Sequence, residues 1–145
     1  MENGNDIRWE QRFNNFSRAF SLLRCELEEK EISSFDQLQQ EGLIQRFEYT
    51  FELLWKTLKD YLEYEGAKID VISPKNVFKT AAETNLLENM DADGEVLLEM
   101  LNSRNQLTHT YDFERFRVIL GEIKTKYLAQ IDKIYVYLMK KKVAE

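Results

Sequence analysis

Apolar residues recur along this chain at spacings of three and four. Phe13, Phe16, Phe20, Leu23 and Leu27 form the first such stripe, which predicts a helix over about residues 7–30. The segment "EISSFDQLQQEG" interrupts the pattern. Phe47, Phe51, Leu54, Leu58 and Tyr61 or Leu62 then form a second stripe, predicting a helix over about 43–65 with Gly66 as its C′ residue. Ser73 followed by Pro74 is an N-cap with proline at the first helical position, so a short helix is expected over about 74–87. "ENMDADGE" reads as a loop. Beyond it a capped helix spans about 94–110. Asp112 can cap a last, long helix over about 113–142, with Phe113, Phe116, Leu120, Ile123, Tyr127, Ile131, Ile134 and Leu138 as its stripe. Aromatic residues at this spacing read as core. Lys140, Lys141 and Lys142 fall at the C-terminal end, where cations complement the helix dipole, and read as a solvated end. Four long helices and one short extra helix predict an all-α, antiparallel four-helix up-and-down bundle.

Composition narrows this further. A chain of 145 residues suits one domain, residues 1–145, with a real core. Hydrophobic residues make up 43% and aromatic residues 12%, which argues against disorder. One proline and five glycines are too little turn punctuation for a β-rich domain. Twenty-six acidic against 20 basic residues give a net charge of −6, which disfavours broad, charge-driven nucleic-acid binding. Any RNA contact has to be local. Cys25 is the single cysteine, so no intrachain disulfide forms, and it reads as a small residue in or beside the core. The first residues carry no apolar run, and no stretch approaches the roughly 18 apolar residues of a membrane span, so a cytoplasmic location is expected.

Several chemistries are excluded. One histidine and one cysteine cannot build a zinc site without many carboxylates. Asp91, Asp93 and Gly94 superficially resemble a calcium loop, but the glycine comes two positions early and the downstream ligands are missing. There is no GxxxxGK[ST] loop, no GxGxxG after a strand and no Ser-His-Asp context, and no cofactor is expected.

What remains is "LNSRNQLTHTYD", residues 101–112, which holds the only histidine. On a continuous helix Asn105 and His109 share one face, while Arg104, Thr108 and Tyr111 share a neighbouring one. Arg104 and His109 then lie about 140° apart around the axis. They flank one groove only if the helix ends near His109 or a second subunit supplies the other wall. The residue types suit phosphodiester cleavage: a guanidinium holds a phosphate and its developing charge, and an imidazole moves protons. Transesterification needs both a base and an acid, so one histidine per chain points to a symmetric dimer with His109 from each subunit in one cleft. The aromatic-rich stripes, hard for one small bundle to bury, point the same way. The plain alternative is a polar helix end with a hydrogen-bonded histidine. Arg115 and Arg117 add cations beside Tyr111, where a nucleotide phosphate or a partner protein could be held.

The spacing Arg-x4-His-x-Tyr, "RNQLTHTY", resembles the signature of the HEPN superfamily. More closely, the chain resembles the nucleotidyltransferase substrate-binding family, through "FELLWKTLKDYLEYEG", "SPKNVFKTAAETNLL" and "DGEVLLEMLNSRNQLTHTYD" in that order. The resemblance implies a dimeric four-helix bundle that binds a separate small nucleotidyltransferase encoded nearby. This chain lacks the Gly-Ser and paired-Asp signature of that catalytic partner. Two roles are implied. In one, the helical protein completes the transferase site and binds its substrate. In the other, it is a metal-independent RNase toxin that the transferase silences by adding AMP to the motif tyrosine. Carried over, Arg104 and His109 are catalytic, Asn105 supports them, and Tyr111 is the modification target. Gln106 stands where the family commonly has Leu. A purely structural dimeric bundle with a vestigial motif is the alternative.

Overall fold

The computed structural model describes residues 4–108 and 112–144, with side chains from Arg8 onward. The first stripe turns one face of α1 (Gly4–Glu29) wholly inward. Phe13, Phe16, Phe20, Leu23 and Leu27 are each at most 1% exposed, and Trp9 extends the same face by one turn. Each such side chain withdrawn from water contributes roughly 1.5–3 kcal/mol.

After a 3-10 turn at Ile32–Ser34, α2 (Gln37–Tyr64) begins earlier than its apolar stripe suggests. Its start is set by a capping box. The Gln39 amide donates to Asp36 Oδ1 (2.7 Å), and the Asp36 amide donates to Gln39 Oε1 (2.9 Å). Gln40 is buried and donates to the Phe35 carbonyl (3.0 Å), tying the new turn to the connection. The polar first turns carry no stripe, so periodicity alone cannot see them. At the other end Gly66 takes φ +96°, the left-handed C′ conformation.

Cross-contacts fix the directions. Arg12 pairs with buried Asp60 (3.4 Å) and Arg46 donates to the Leu22 carbonyl (3.4 Å), so α1 and α2 run antiparallel. The short α3 (Pro74–Glu83) starts as expected, with Ser73 accepting from the Asn76 amide (3.1 Å). It stops short of residue 87 because Asn85 adopts φ 64°. Part of the expected loop is instead α4 (Leu86–Met90), whose Leu86, Leu87 and Met90 are buried. Then comes α5 (Gly94–Leu107), capped by Asp93. The last helical run comprises α6 (Phe113–Glu122), a π turn at Ile123–Tyr127 and α7 (Leu128–Ala144). Arg24 pairs with Asp132 (2.7 Å) and Lys142 with Asn14, so α7 runs antiparallel to α1. The Asp93 amide donates to Gln130 Oε1 (2.8 Å) and Lys126 pairs with Glu99, so α5 is antiparallel to the last run as well. The result is an all-α bundle.

Two expectations change. Cys25 is exposed rather than beside the core, because it lies off the Leu23–Leu27 face, with Sγ 3.5 Å from Glu29 Oε1. The aromatic stripes are buried within one chain, so their burial supplies no argument for a dimer. Lys140 and Lys141 are exposed, whereas Lys142 is half-buried against Asn14 and over the Phe13 ring. Among the described residues no helix is long and apolar enough to cross a membrane.

The capping box gives a direct test. Asp36→Ala should cost about 1 kcal/mol in urea unfolding, because it removes the acceptor for the Gln39 amide. An unchanged midpoint would mean that Gln40 and Phe35 alone set the start of α2.

Candidate functional site

Val96, Leu97, Met100, Ser103 and Leu107 are the inward positions of α5. Arg104 follows Ser103 and therefore sits at the edge of that face, with its side chain 25% exposed. It reaches α2. Nη2 donates to Glu52 Oε2, Nη1 donates to Asn105 Oδ1 (3.1 Å), and the guanidinium carbon lies 5.8 Å from the centre of the Phe51 ring. Glu52 Oε1 also faces Lys56 Nζ at 3.6 Å. Glu48, one turn before Glu52, is half-buried. That burial raises its carboxyl pKa, and the positive charge of Arg104 pulls it partly back.

Glu48 and Glu52 lie four residues apart on α2, as Arg104 and Thr108 do on α5. Glu52 meets Arg104, while Glu48 and Thr108 line a cleft of about 500 Å³. Ile44, Leu107 and Phe116 provide apolar lining, and Glu41 and Gln45 add polar groups. The cleft can hold an apolar or aromatic group next to a partly exposed guanidinium.

The helix expected over 94–110 ends at Leu107. Thr108 caps it, its hydroxyl donating to the Asn105 carbonyl (2.7 Å). His109, Thr110 and Tyr111 lie outside the described residues. Asp112 caps α6 as expected, accepting from the Glu114 amide (3.0 Å). Of the sequence-derived site residues, Arg104 and Asn105 are brought together. Arg115 does not face open solvent with Arg117: its Nε donates to Gln106 Oε1 (2.9 Å), bridging α6 to α5. Arg117 is exposed about 200° further round the helix. Gln106 thus has a structural task that its position in the motif did not suggest.

Residues absent from the motif hold this end of α5 in place. The Tyr127 hydroxyl donates to Glu122 Oε2 (2.9 Å) and lies 2.8 Å from Ser103 Oγ, whose hydroxyl then donates to it. The Tyr127 ring stacks on Phe47 of α2 at 6.0 Å. Burial is the main reason the phenol is pushed up to about 12; the Ser103 bond comes next and opposes it, and the Glu122 carboxylate adds to the rise. Nothing in the stripe separates Tyr127 from an ordinary core aromatic, and the pairing of Glu52 with Arg104 spans 52 residues without a sequence signal.

The chain is thus a helical bundle with a polar motif ending one of its helices. The chain matches the family described as "nucleotidyltransferase substrate binding protein like" over residues 11–140, and it belongs to that family. A protein of known crystal structure from Thermus thermophilus is similar throughout: 32% identity, TM-score 0.70, covering 85% of this chain and 98% of that one. Among curated proteins none matches this sequence.

Tyr127→Phe should cost about 1–2 kcal/mol at neutral pH, since it removes the hydroxyl that bonds both buried Ser103 and Glu122. The pH dependence has a definite sign. The folded phenol titrates above its ordinary value of 10, so the unfolded chain loses that proton first and stability falls as pH rises from 10 towards about 12. Denaturant unfolding across that range should show a smaller alkaline loss in the Phe variant than in the parent.

Proposed function

We propose that this chain is the helical subunit of a two-component nucleotidyltransferase system. It binds a small catalytic nucleotidyltransferase and acts as a metal-independent endoribonuclease that the partner silences by transferring AMP to Tyr111. Family membership supports the coarser half of this reading. The finer half rests on one observation: Arg104 stands partly exposed at the end of α5, beside a cleft, with His109 five positions on. Arg104 would hold the scissile phosphate, His109 would move protons, and Asn105 keeps Arg104 oriented through its 3.1 Å bond. A homodimer with both His109 residues in one cleft would supply base and acid together. Arg115 and Arg117 would contact the partner or its nucleotide.

A second reading, a non-catalytic dimeric bundle with a vestigial motif, is favoured by the acidic character of the same place: Glu41 and Glu48 line the cleft, and Glu52 already neutralises Arg104.

Purified protein incubated with mixed RNA separates the two. Cleavage should survive EDTA and leave 2′,3′-cyclic phosphate ends. His109→Ala should reduce it by about 10²–10⁴-fold. Arg104→Ala should reduce it by about 10²–10³-fold, as when one donor to a developing anion is removed. Equal cleavage by parent and His109→Ala would remove the ribonuclease reading. Co-expression with the neighbouring nucleotidyltransferase should add one AMP, by intact mass, to the parent and none to Tyr111→Phe. That mass shift should accompany loss of RNA cleavage, because AMP places bulk and negative charge two residues from His109.

A further inference from the structure

We propose that Glu52 is a resident anion that a substrate phosphate displaces from Arg104, with Lys56 retaining the released carboxylate. The inference rests on the reading of Arg104 as the phosphate-holding group, and it adds two residues outside the motif to that site.

Three features carry it. First, the two oxygens of Glu52 serve different cations: Oε2 accepts from Arg104 and Oε1 faces Lys56, 3.6 Å away and one turn along the same helix. When Arg104 changes partner, Glu52 keeps a counter-charge and no carboxylate is left bare. Second, Arg104 is held by more than its charge. The Phe51 ring lies against the guanidinium at 5.8 Å and Asn105 takes one N–H at 3.1 Å, so the group stays placed while its Glu52-facing edge changes partner. Third, the pair is open enough to exchange, with side chains 25% and 32% exposed. Water can reach both ions, and a phosphate offers the guanidinium a charge-assisted acceptor like the single carboxylate oxygen it replaces. Glu48 adds to the effect. With Glu48 and Glu52 both near Arg104, its charge is already answered in the resting site, so a phosphate binds as Glu52 gives way.

Phenylglyoxal labelling of Arg104, read by peptide mass spectrometry, follows the guanidinium without requiring turnover. It is measured in the His109→Ala background, with and without short single-stranded RNA as protectant. Glu52→Gln keeps the shape and removes the charge. It should speed labelling about fivefold and lower the half-protecting RNA concentration about fivefold, the size of one partly exposed ion pair. Lys56→Met should do the reverse, because Glu52 then clings to its remaining cation. In the Glu52→Gln chain, Lys56→Met should change little. Labelling and protection unchanged by Glu52→Gln, or more RNA needed for protection, would overturn the exchange and make Glu52 a mere support. An equal loss from Lys56→Met in both backgrounds would make Lys56 a direct phosphate contact, which also overturns it. If RNA protects Arg104 in no variant, the phosphate-holding role of Arg104 itself fails, and the exchange with it. Retained melting temperatures establish that the variants fold.

Discussion

Tyr127 ties three parts of the bundle together. Its ring stacks on Phe47 of α2, its hydroxyl bonds Glu122 at the end of α6, and Ser103 of α5 bonds it in turn. A phenol suits this place because its body is apolar and its one polar atom finds two partners without water. The position of Arg104 depends on it. Ser103 fixes which way α5 faces near its end, and the next residue therefore points at α2 and meets Glu52. Phe47 in turn meets Phe51, the ring beside the guanidinium, in a tilted contact at 6.3 Å. Core and site are thus one continuous packing arrangement, and a change at Tyr127 reaches Arg104 through both hydrogen bonding and ring contact.

The fold was largely readable from spacing because burial here is repetitive. Phe13 to Leu27 and Phe47 to Leu62 lie on single faces, and each face needs only a neighbour of the same kind. The local rules that failed were those in which polar side chains replace the stripe. Asp36 and Gln39 begin α2 by bonding each other's amides, and Asn85 ends α3 by adopting a left-handed conformation that most residues avoid. The π turn at Ile123–Tyr127 coincides with two successive spacings of four, Ile123 to Tyr127 to Ile131, which the sequence shows but which a reading for α-helix absorbs without comment.

The site was legible only in part, for a different reason. Arg104 and Asn105 announce themselves as adjacent polar residues near a helix end. Glu52 and Lys56 do not, because an acidic and a basic residue one turn apart on a helix are the commonest kind of surface pair. Their meaning comes from α5 crossing at that point, a fact of tertiary structure. Gln106 is similar: a polar residue in place of an apolar one looks neutral until Arg115 is seen to donate to it. The acidic balance of the whole chain has a local counterpart here, since Glu41, Glu48 and Glu52 cluster on the side of α2 that faces the motif.

The π turn also bears on how this chain can vary in length. An α-helix closes each hydrogen-bonded turn four residues on, and a π turn closes it five on, so the segment Ile123–Tyr127 carries one residue more than the helix around it needs. A relative one residue shorter at this point could close an ordinary turn and leave the halves on either side facing as they do now. The same deletion between Phe113 and Glu122 would rotate everything beyond it by about 100° and carry Ile131, Ile134 and Leu138 off the core. The helix therefore has one place where its length is free to drift, and Tyr127, the last residue within that turn, is the one such drift would put at risk.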